Sequence, residues 1–162
     1  IGQIKINLKL NNIPPKRYKI FQSDMFAGIK EKRAKKFAPS GLPSSSPSFL
    51  QGKNSVYDFI FANPPYVARE RIGEVQPSVL KYEPKKALFA GKKGLFYINK
   101  FLKQAKKYVK NKGTIFMEFD PLQKADIEVI LKKEKHRRYK FLKDQFRKYR
   151  WLKMLALKRK YW

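Results

Sequence analysis

Cysteine is absent from all 162 residues, which excludes disulfide frameworks and Cys-ligated metal sites. Histidine is nearly absent. His136, in Lys135-His136-Arg137-Arg138, is the sole one, so neither a His-based metal site nor a Ser-His-Asp triad has a set of partners, and no metal is expected. The plain reading of His136 is an exposed or half-buried loop residue. Acidic residues are scarce, 12 Asp and Glu against 39 Lys and Arg, for a formal net charge of +27. No apolar run approaches the roughly 18 residues of a spanning helix, so no membrane partner is expected. No signal peptide is evident either: the chain opens on Ile1 with a polar, lysine-bearing segment. Because the first residue is not Met, the chain is expected to begin inside a larger protein.

What is present can build a core. Hydrophobic residues make up 43% and aromatics 15%, a composition unlike that of disordered chains, and the length suits one domain. The positive charge has two readings of equal weight. One is attraction to a polyanion such as nucleic acid or an acidic protein surface. The other is compositional drift, since the lysines are spread along the whole sequence.

Along the chain, Ile4, Ile6, Leu8 and Leu10 alternate, as in a strand, yet the same residues suit a helix stopped at Asn11-Asn12. Pro14-Pro15 breaks any helix. Residues 17–22 alternate and predict a strand. Residues 28–38 suit a short helix, and 39–55, rich in Pro, Ser and Gly, a surface loop. Residues 56–62, VYDFIFA, are almost continuously apolar, which predicts a buried parallel strand. A loop through about Gly91 follows. Residues 94–110 place Leu95, Ile98, Leu102, Ala105 and Val109 on one helical face, with a C-cap signal at Asn111-Lys112-Gly113. A buried strand over 114–119, a helix over 123–134 with Ile127, Ile130 and Leu131 inward, and two strands over 139–142 and 151–157 complete the pattern. The order is that of an α/β domain closed by an antiparallel pair.

The sharpest local feature is a strand ending in Asn63-Pro64-Pro65-Tyr66. In open α/β sheets, ligands bind at the carboxyl ends of strands. Asn63 offers an acceptor and donors. Pro64 and Pro65 lack N–H groups and fix φ, which stiffens the loop, and Tyr66 adds a flat face with a polar tip. The Asn63 side-chain oxygen and the Pro64 carbonyl can each accept one hydrogen of a planar –NH2 group. Such a site works by positioning and electrostatics rather than with a strong base. A rigid turn is the competing reading.

Residues 57–66, YDFIFANPPY, closely resemble the signature of class I S-adenosylmethionine methyltransferases acting on planar nitrogens. Glu74-Val75-Gln76-Pro77, Tyr82-Glu83-Pro84, Ala87 to Gly91 and Gly94-Leu95 are similar to the loop of the release-factor glutamine methyltransferase family. Met117-Glu118-Phe119 with Gln123, and Lys143-Asp144 with Arg150, resemble that family's late strand, helix and final hairpin. Gln22-Ser23-Asp24-Met25-Phe26 looks like its adenine-side segment. The resemblance implies a Rossmann-like class I methyltransferase sheet, mostly parallel, with an antiparallel C-terminal hairpin and the N-terminal strands missing. Residues 1–162 would then be a partial catalytic domain with an insertion at 39–55. It further implies methyl transfer from S-adenosylmethionine to the glutamine side chain in the Gly-Gly-Gln tip of class I peptide chain release factors, by a cytoplasmic monomer. By this resemblance, Asn63, Pro64 and Tyr66 are catalytic, and Asn63, Pro64, Pro65 and Tyr66 hold the substrate amide. Asp24, Met25 and Asn63 border the cofactor. Met25 stands where the family often has an aromatic residue and gives a softer apolar contact; Phe26 reads as core.

No Gly-x-Gly-x-Gly occurs in the chain, so the family's cradle for the methionine part of the cofactor is absent. Without the first strand of that fold, the strand expected at 17–22 has no sheet neighbour and its backbone groups go unpaired. Three other readings stay open: an N6-adenine nucleic-acid methyltransferase, which the charge suits; a ribosomal-protein glutamine methyltransferase, whose members usually carry His where this chain has Tyr82; and a non-catalytic basic binding module. Nucleic acid is not the favoured partner.

Overall fold

The computed structural model describes residues 1–27 and 57–157. The chain divides into two compact units, Ile1–Ser40 and Gly41–Trp162.

In the first unit, α1 spans Gly2–Leu10. It thereby settles the choice between strand and helix. The Asn11 side chain donates to the Asn7 carbonyl at 2.8 Å and ends the helix as its C-cap. None of its residues is buried, and Ile4, Ile6 and Leu10 are exposed. A 3-10 turn, Pro15–Arg17, follows. The strand expected over 17–22 does not form: Tyr18 is extended, but no ladder pairs this stretch among the described residues. Alternation alone cannot make a strand, because its backbone groups need a neighbour. The turn at Asp24–Ala27, closed by the Ala27 N–H on the Asp24 carbonyl at 3.1 Å, leads into a buried Phe26. The helix and loop expected over 28–38 and 39–55, and Val56, lie outside the described residues.

The second unit carries β1 (Tyr57–Ala62), β2 (Val109–Glu118), β3 (Tyr139–Lys143) and β4 (Tyr149–Leu155) in one sheet of order β1-β2-β4-β3. The β1/β2 pair is parallel; β2/β4 and the β3–β4 hairpin are antiparallel. This mixed α/β sheet is compatible with the C-terminal part of a class I methyltransferase sheet. The expected loop through Gly91 holds a 3-10 stretch (Arg69–Glu74), two short helices, α2 (Pro77–Tyr82) and α3 (Lys85–Leu88), and a 3-10 turn (Lys92–Gly94). The main helices are α4 (Phe96–Tyr108) and α5 (Lys124–Lys133), the latter entered through a 3-10 turn at Pro121–Gln123.

The core follows the two periodicities. On α4, Ile98, Phe101, Leu102 and Ala105 are buried at helical spacing; on α5, Ile127 and Leu131. On β2, Ile115, Met117 and the following Phe119 alternate inward, matched by Leu152 and Met154 on β4 and Ile60 on β1. Phe119 meets Phe141 edge-on at 5.5 Å.

Two strand expectations need correction. β1 is parallel but not buried on both faces. Only Ile60 is buried, while Phe59 and Phe61 are 61% and 73% exposed and stack along the opposite face toward Phe116. An apolar run does not tell which of its two faces a helix covers. Helix α4 stops at Tyr108, and Asn111-Lys112-Gly113 lies inside β2 rather than capping the helix. The register jumps there, from Tyr57 opposite Val109 to Phe59 opposite Thr114. Lys112 turns the chain at φ +65° and donates its N–H to the Ala156 carbonyl at 2.7 Å. Gly113 is needed at this point: a Cβ would sit 2.8 Å from the Asp58 carbonyl oxygen. His136, expected to be exposed or half-buried, is buried, its Nε2 3.1 Å from the Leu102 carbonyl oxygen of α4.

Candidate active site

β1 ends where Ala62 pairs with Met117, and the chain leaves the sheet at Asn63. Pro64 is buried and Pro65 half-buried, with no cis peptide bond in the loop. Asn63 is exposed. Among the described residues its side chain makes no hydrogen bond, and nothing donates to the Pro64 carbonyl. Two acceptors therefore stand free at the carboxyl end of a strand.

The loop behind them is tied down. The Tyr66 hydroxyl donates to Glu118 Oε1 on β2 at 3.1 Å. Burial, then the Glu118 carboxylate, pushes the phenol above its ordinary value of 10, so Tyr66 stays a neutral donor and cannot serve as a base. The Tyr66 carbonyl accepts from Gln123 Nε2 at 2.9 Å. The same nitrogen donates to the Lys93 carbonyl at 2.8 Å, and Gln123 Oε1 accepts the Asp120 N–H at 3.1 Å. Buried Gln123 thus has its polar atoms engaged and fastens the Asn63–Tyr66 loop, the turn at Lys93 and the start of α5 together. Gly94, at φ +68°, allows this approach: a Cβ there would lie 1.9 Å from the Tyr66 carbonyl oxygen. Beyond Tyr66, Val67 bridges to Phe89, its N–H on the Leu88 carbonyl at 2.9 Å.

One flank of the loop is a shallow polar cleft between Val67, Ala68, Arg71 and Asp120. Arg71 reaches Asp120 Oδ2 at 3.1 Å and Glu74 Oε2 through a shorter bond of 2.6 Å. The hydrogen bond to Glu74 is the main reason its guanidinium is held still more firmly protonated than usual. Asp120 Oδ1 in turn accepts the Leu122 N–H at 2.9 Å, which caps the turn into α5.

The sequence-predicted residues fall in two places. Asn63, Pro64, Pro65 and Tyr66 form one loop of the second unit. Asp24 and Met25 belong to the first unit, where Asp24 is exposed and Met25 is half-buried at φ +53°. Sequence reasoning named Gln123 and Glu118 only as parts of a resemblance and missed what they hold. The readable signal was Asp120-Pro121-Leu122-Gln123, a capping box with Pro at its first position. Among the described residues no group of three or more His, Cys, Asp or Glu side chains suits a metal, and no helix is long and apolar enough to cross a membrane.

No protein-family model matches the chain. The release factor glutamine methyltransferase of Thermodesulfovibrio yellowstonii is 38% identical over 78 residues, 48% of this chain and 28% of the relative. That of Streptococcus pneumoniae is 38% identical over 91 residues, 56% of this chain and 33% of the relative. The human MTRF1L release factor glutamine methyltransferase is 38% identical over 64 residues, 40% of this chain and 19% of the relative. The chain spans about a third or less of the length of these curated relatives.

Proposed function

We propose, from a chain that is a sequence relative of release factor glutamine methyltransferases over about half its length, that the whole protein methylates the side-chain amide nitrogen of the glutamine in the Gly-Gly-Gln tip of class I peptide chain release factors. S-adenosylmethionine would supply the electrophilic methyl group, leaving S-adenosylhomocysteine, and the methylated amide nitrogen loses one proton to solvent. The protein acts in the cytoplasm, as a monomer.

One observation carries this reading. Among the described residues, the Asn63 side chain and the Pro64 carbonyl are unengaged acceptors on a loop that Gln123 and Glu118 otherwise fasten. Each accepts one hydrogen of the substrate –NH2, which keeps the nitrogen's lone pair facing the methyl donor. Pro65 stiffens the turn. The Tyr66 ring, held through its hydroxyl, walls one side. With a neutral Tyr66, the contribution is orientation and hydrogen bonding, not proton abstraction.

Asn63 also suits the edge of a bound cofactor, because it presents an amide at the carboxyl end of β1. Asp24 and Met25 are the proposed adenine contacts. The 162 residues hold no Gly-x-Gly-x-Gly cradle for the methionine part of the cofactor. The 162-residue chain by itself therefore binds S-adenosylmethionine weakly or not at all, and micromolar binding in a calorimetric titration overturns this.

The test of function uses the full-length protein with labelled S-adenosylmethionine and separate acceptors: a class I release factor, the same factor with its tip glutamine changed to alanine, a ribosomal protein and DNA. Label is expected on the intact release factor alone. Asn63→Ala lowers turnover about 10²–10³-fold, the scale for losing one donor or acceptor aligned with the reacting group. It leaves the melting temperature unchanged, because the exposed side chain has no partner among the described residues. Label on DNA instead assigns the clamp to an adenine amino group.

A further inference from the structure

We propose that the surface formed by the carboxyl ends of α4 and α5 and the turn after α5 binds the phosphate backbone of nucleic acid, independently of base sequence and apart from the Asn63 loop.

The topology sets this surface at the far end of the sheet. Helix α4 runs directly into β2, so its last turn lies at the amino end of β2. Helix α5 starts beyond the carboxyl end of β2 and runs back, and the two helix ends meet. Lys106 Nζ on α4 donates to the Lys135 carbonyl at 3.2 Å, and the His136 ring contacts the Leu102 carbonyl at 3.1 Å. Asn63 follows the carboxyl end of β1, which is parallel to β2. The six residues of β1 alone put about 20 Å between the two ends.

The charge here is mostly of one sign, with Glu134 as the carboxylate of the turn. Lys103, Lys133, Lys135, Arg137 and Arg138 are all exposed. Among the described residues no carboxylate lies within ion-pair distance of any of them, while their neighbour Lys132 pairs with Glu128 at 3.6 Å. Burial draws the Lys106 ammonium below its ordinary value; Glu134 pulls it back up, and Arg137 adds a smaller push down. Burial and Lys106 together keep His136 neutral. An external anion with several charged groups meets these exposed cations at several points at once.

The surface chemistry selects phosphate over protein. Protein interfaces centre on apolar and aromatic side chains and are depleted in lysine. Between residues 130 and 145 no large hydrophobic side chain is exposed. Backbone phosphates are instead met by Lys and Arg, and the adjacent forks of Arg137 and Arg138 suit bidentate contact with phosphate oxygens. The total charge of +27 cannot by itself distinguish such a site from general attraction, so the test must hold net charge constant.

Two triple variants of the full chain do so. One carries Lys133→Glu, Arg137→Glu and Arg138→Glu on the proposed surface. The other carries Lys81→Glu, Lys85→Glu and Lys86→Glu on α2 and α3. Binding to a mixed-sequence RNA oligonucleotide is followed by fluorescence anisotropy from about 50 to about 200 mM salt. The surface variant is expected to lose affinity about tenfold or more. The slope of log K against log salt should shrink by about 2, at about 0.7 per single-strand phosphate contact removed. The α2–α3 variant is expected to lose far less. Equal losses overturn the proposal, as does a chain that fails to bind RNA in the lower half of that salt range. Equal binding of anionic vesicles or polyglutamate, lost in the same variant, overturns the assignment to nucleic acid. Circular dichroism checks folding, and the gentler Lys133→Gln, Arg137→Gln, Arg138→Gln set must move affinity and slope in the same direction.

Discussion

Replacing Gln123 by alanine tests the architecture behind the loop most directly. The change removes two donated hydrogen bonds, to the Tyr66 and Lys93 carbonyls, and one accepted from the Asp120 N–H. Their costs differ. Lys93 is exposed and Asp120 is on the rim of a cleft, so water replaces most of what those groups lose. The Tyr66 carbonyl has Gly94 packed against it and stays unsatisfied, at about 2 kcal/mol. The vacated volume beside a 5% exposed side chain adds about 1 kcal/mol. The expected loss is therefore about 3 kcal/mol, read as a lowered urea midpoint at unchanged m-value, with Trp151 of β4 as the fluorophore of the sheet. Gln123→Glu discriminates further. It keeps an acceptor for Asp120 but turns a carboxylate on two carbonyl oxygens, so it destabilises more than alanine at neutral pH and recovers part of the loss as acid protonates it. A loss below about 1 kcal/mol for Gln123→Ala, or a Gln123→Glu protein as stable as the parent, refutes the role assigned to this side chain.

Gly94→Ala should cost about 2–4 kcal/mol, from the left-handed backbone and the displaced Tyr66 carbonyl. Gly73→Ala, which meets nothing within 4 Å, should stay within about 0.5 kcal/mol. The Gly94→Ala, Gln123→Ala double variant should lose less than the sum, because both act on one carbonyl; strict additivity in urea melts removes that link. His136 gives a pH dependence of known sign. Its folded pKa lies below its ordinary 6.5, through burial and then Lys106. The unfolded chain therefore binds the proton more readily between the two values. The stability held above 6.5 falls as pH drops through that window and levels off below the folded value. His136→Gln should abolish that part of the slope in urea midpoints measured from neutral to mildly acidic pH.

Much of the fold was legible because one face of each main element is covered. Ile98, Leu102 and Ala105 mark α4, Ile127 and Leu131 mark α5, and the hairpin declares itself as two apolar runs around a charged turn. The stiff loop at Asn63–Tyr66 was legible because Asn and Pro at a strand end restrict the backbone and its hydrogen bonding. What stayed hidden depends on tertiary neighbours. An unbroken apolar run reads as buried, yet only the Ile60 face of β1 is covered while Phe59 and Phe61 face outward. His136 sits among cations and reads as surface, but its N–H closes the end of α5 on the Leu131 carbonyl and turns the imidazole against α4. The stop signal read at Asn111–Gly113 does not end the helix, which stops at Tyr108; these residues bend β2 where Asp58 closely approaches Gly113.

The distribution of hydrogen bonds around the Asn63–Tyr66 loop suits the orienting role proposed for it. Pro64 is buried, Tyr66 is fixed at its hydroxyl by Glu118 and at its carbonyl by Gln123, and Val67 is bridged to Phe89. The loop is therefore ordered when the chain folds, before any substrate arrives. Asn63 is the exception: its amide is exposed and solvated, and leaving it without a protein partner costs nothing until binding. A planar amide docking there has to order one short side chain, roughly 0.5–1.5 kcal/mol, rather than a whole loop, whose backbone alone costs roughly 1–2 kcal/mol per residue. A variant that frees the loop while keeping Asn63, such as Gln123→Ala, should on this argument lower turnover about 10²-fold through misplacement of about 1 Å. The acceptor set itself is intact in such a variant, so position alone has changed.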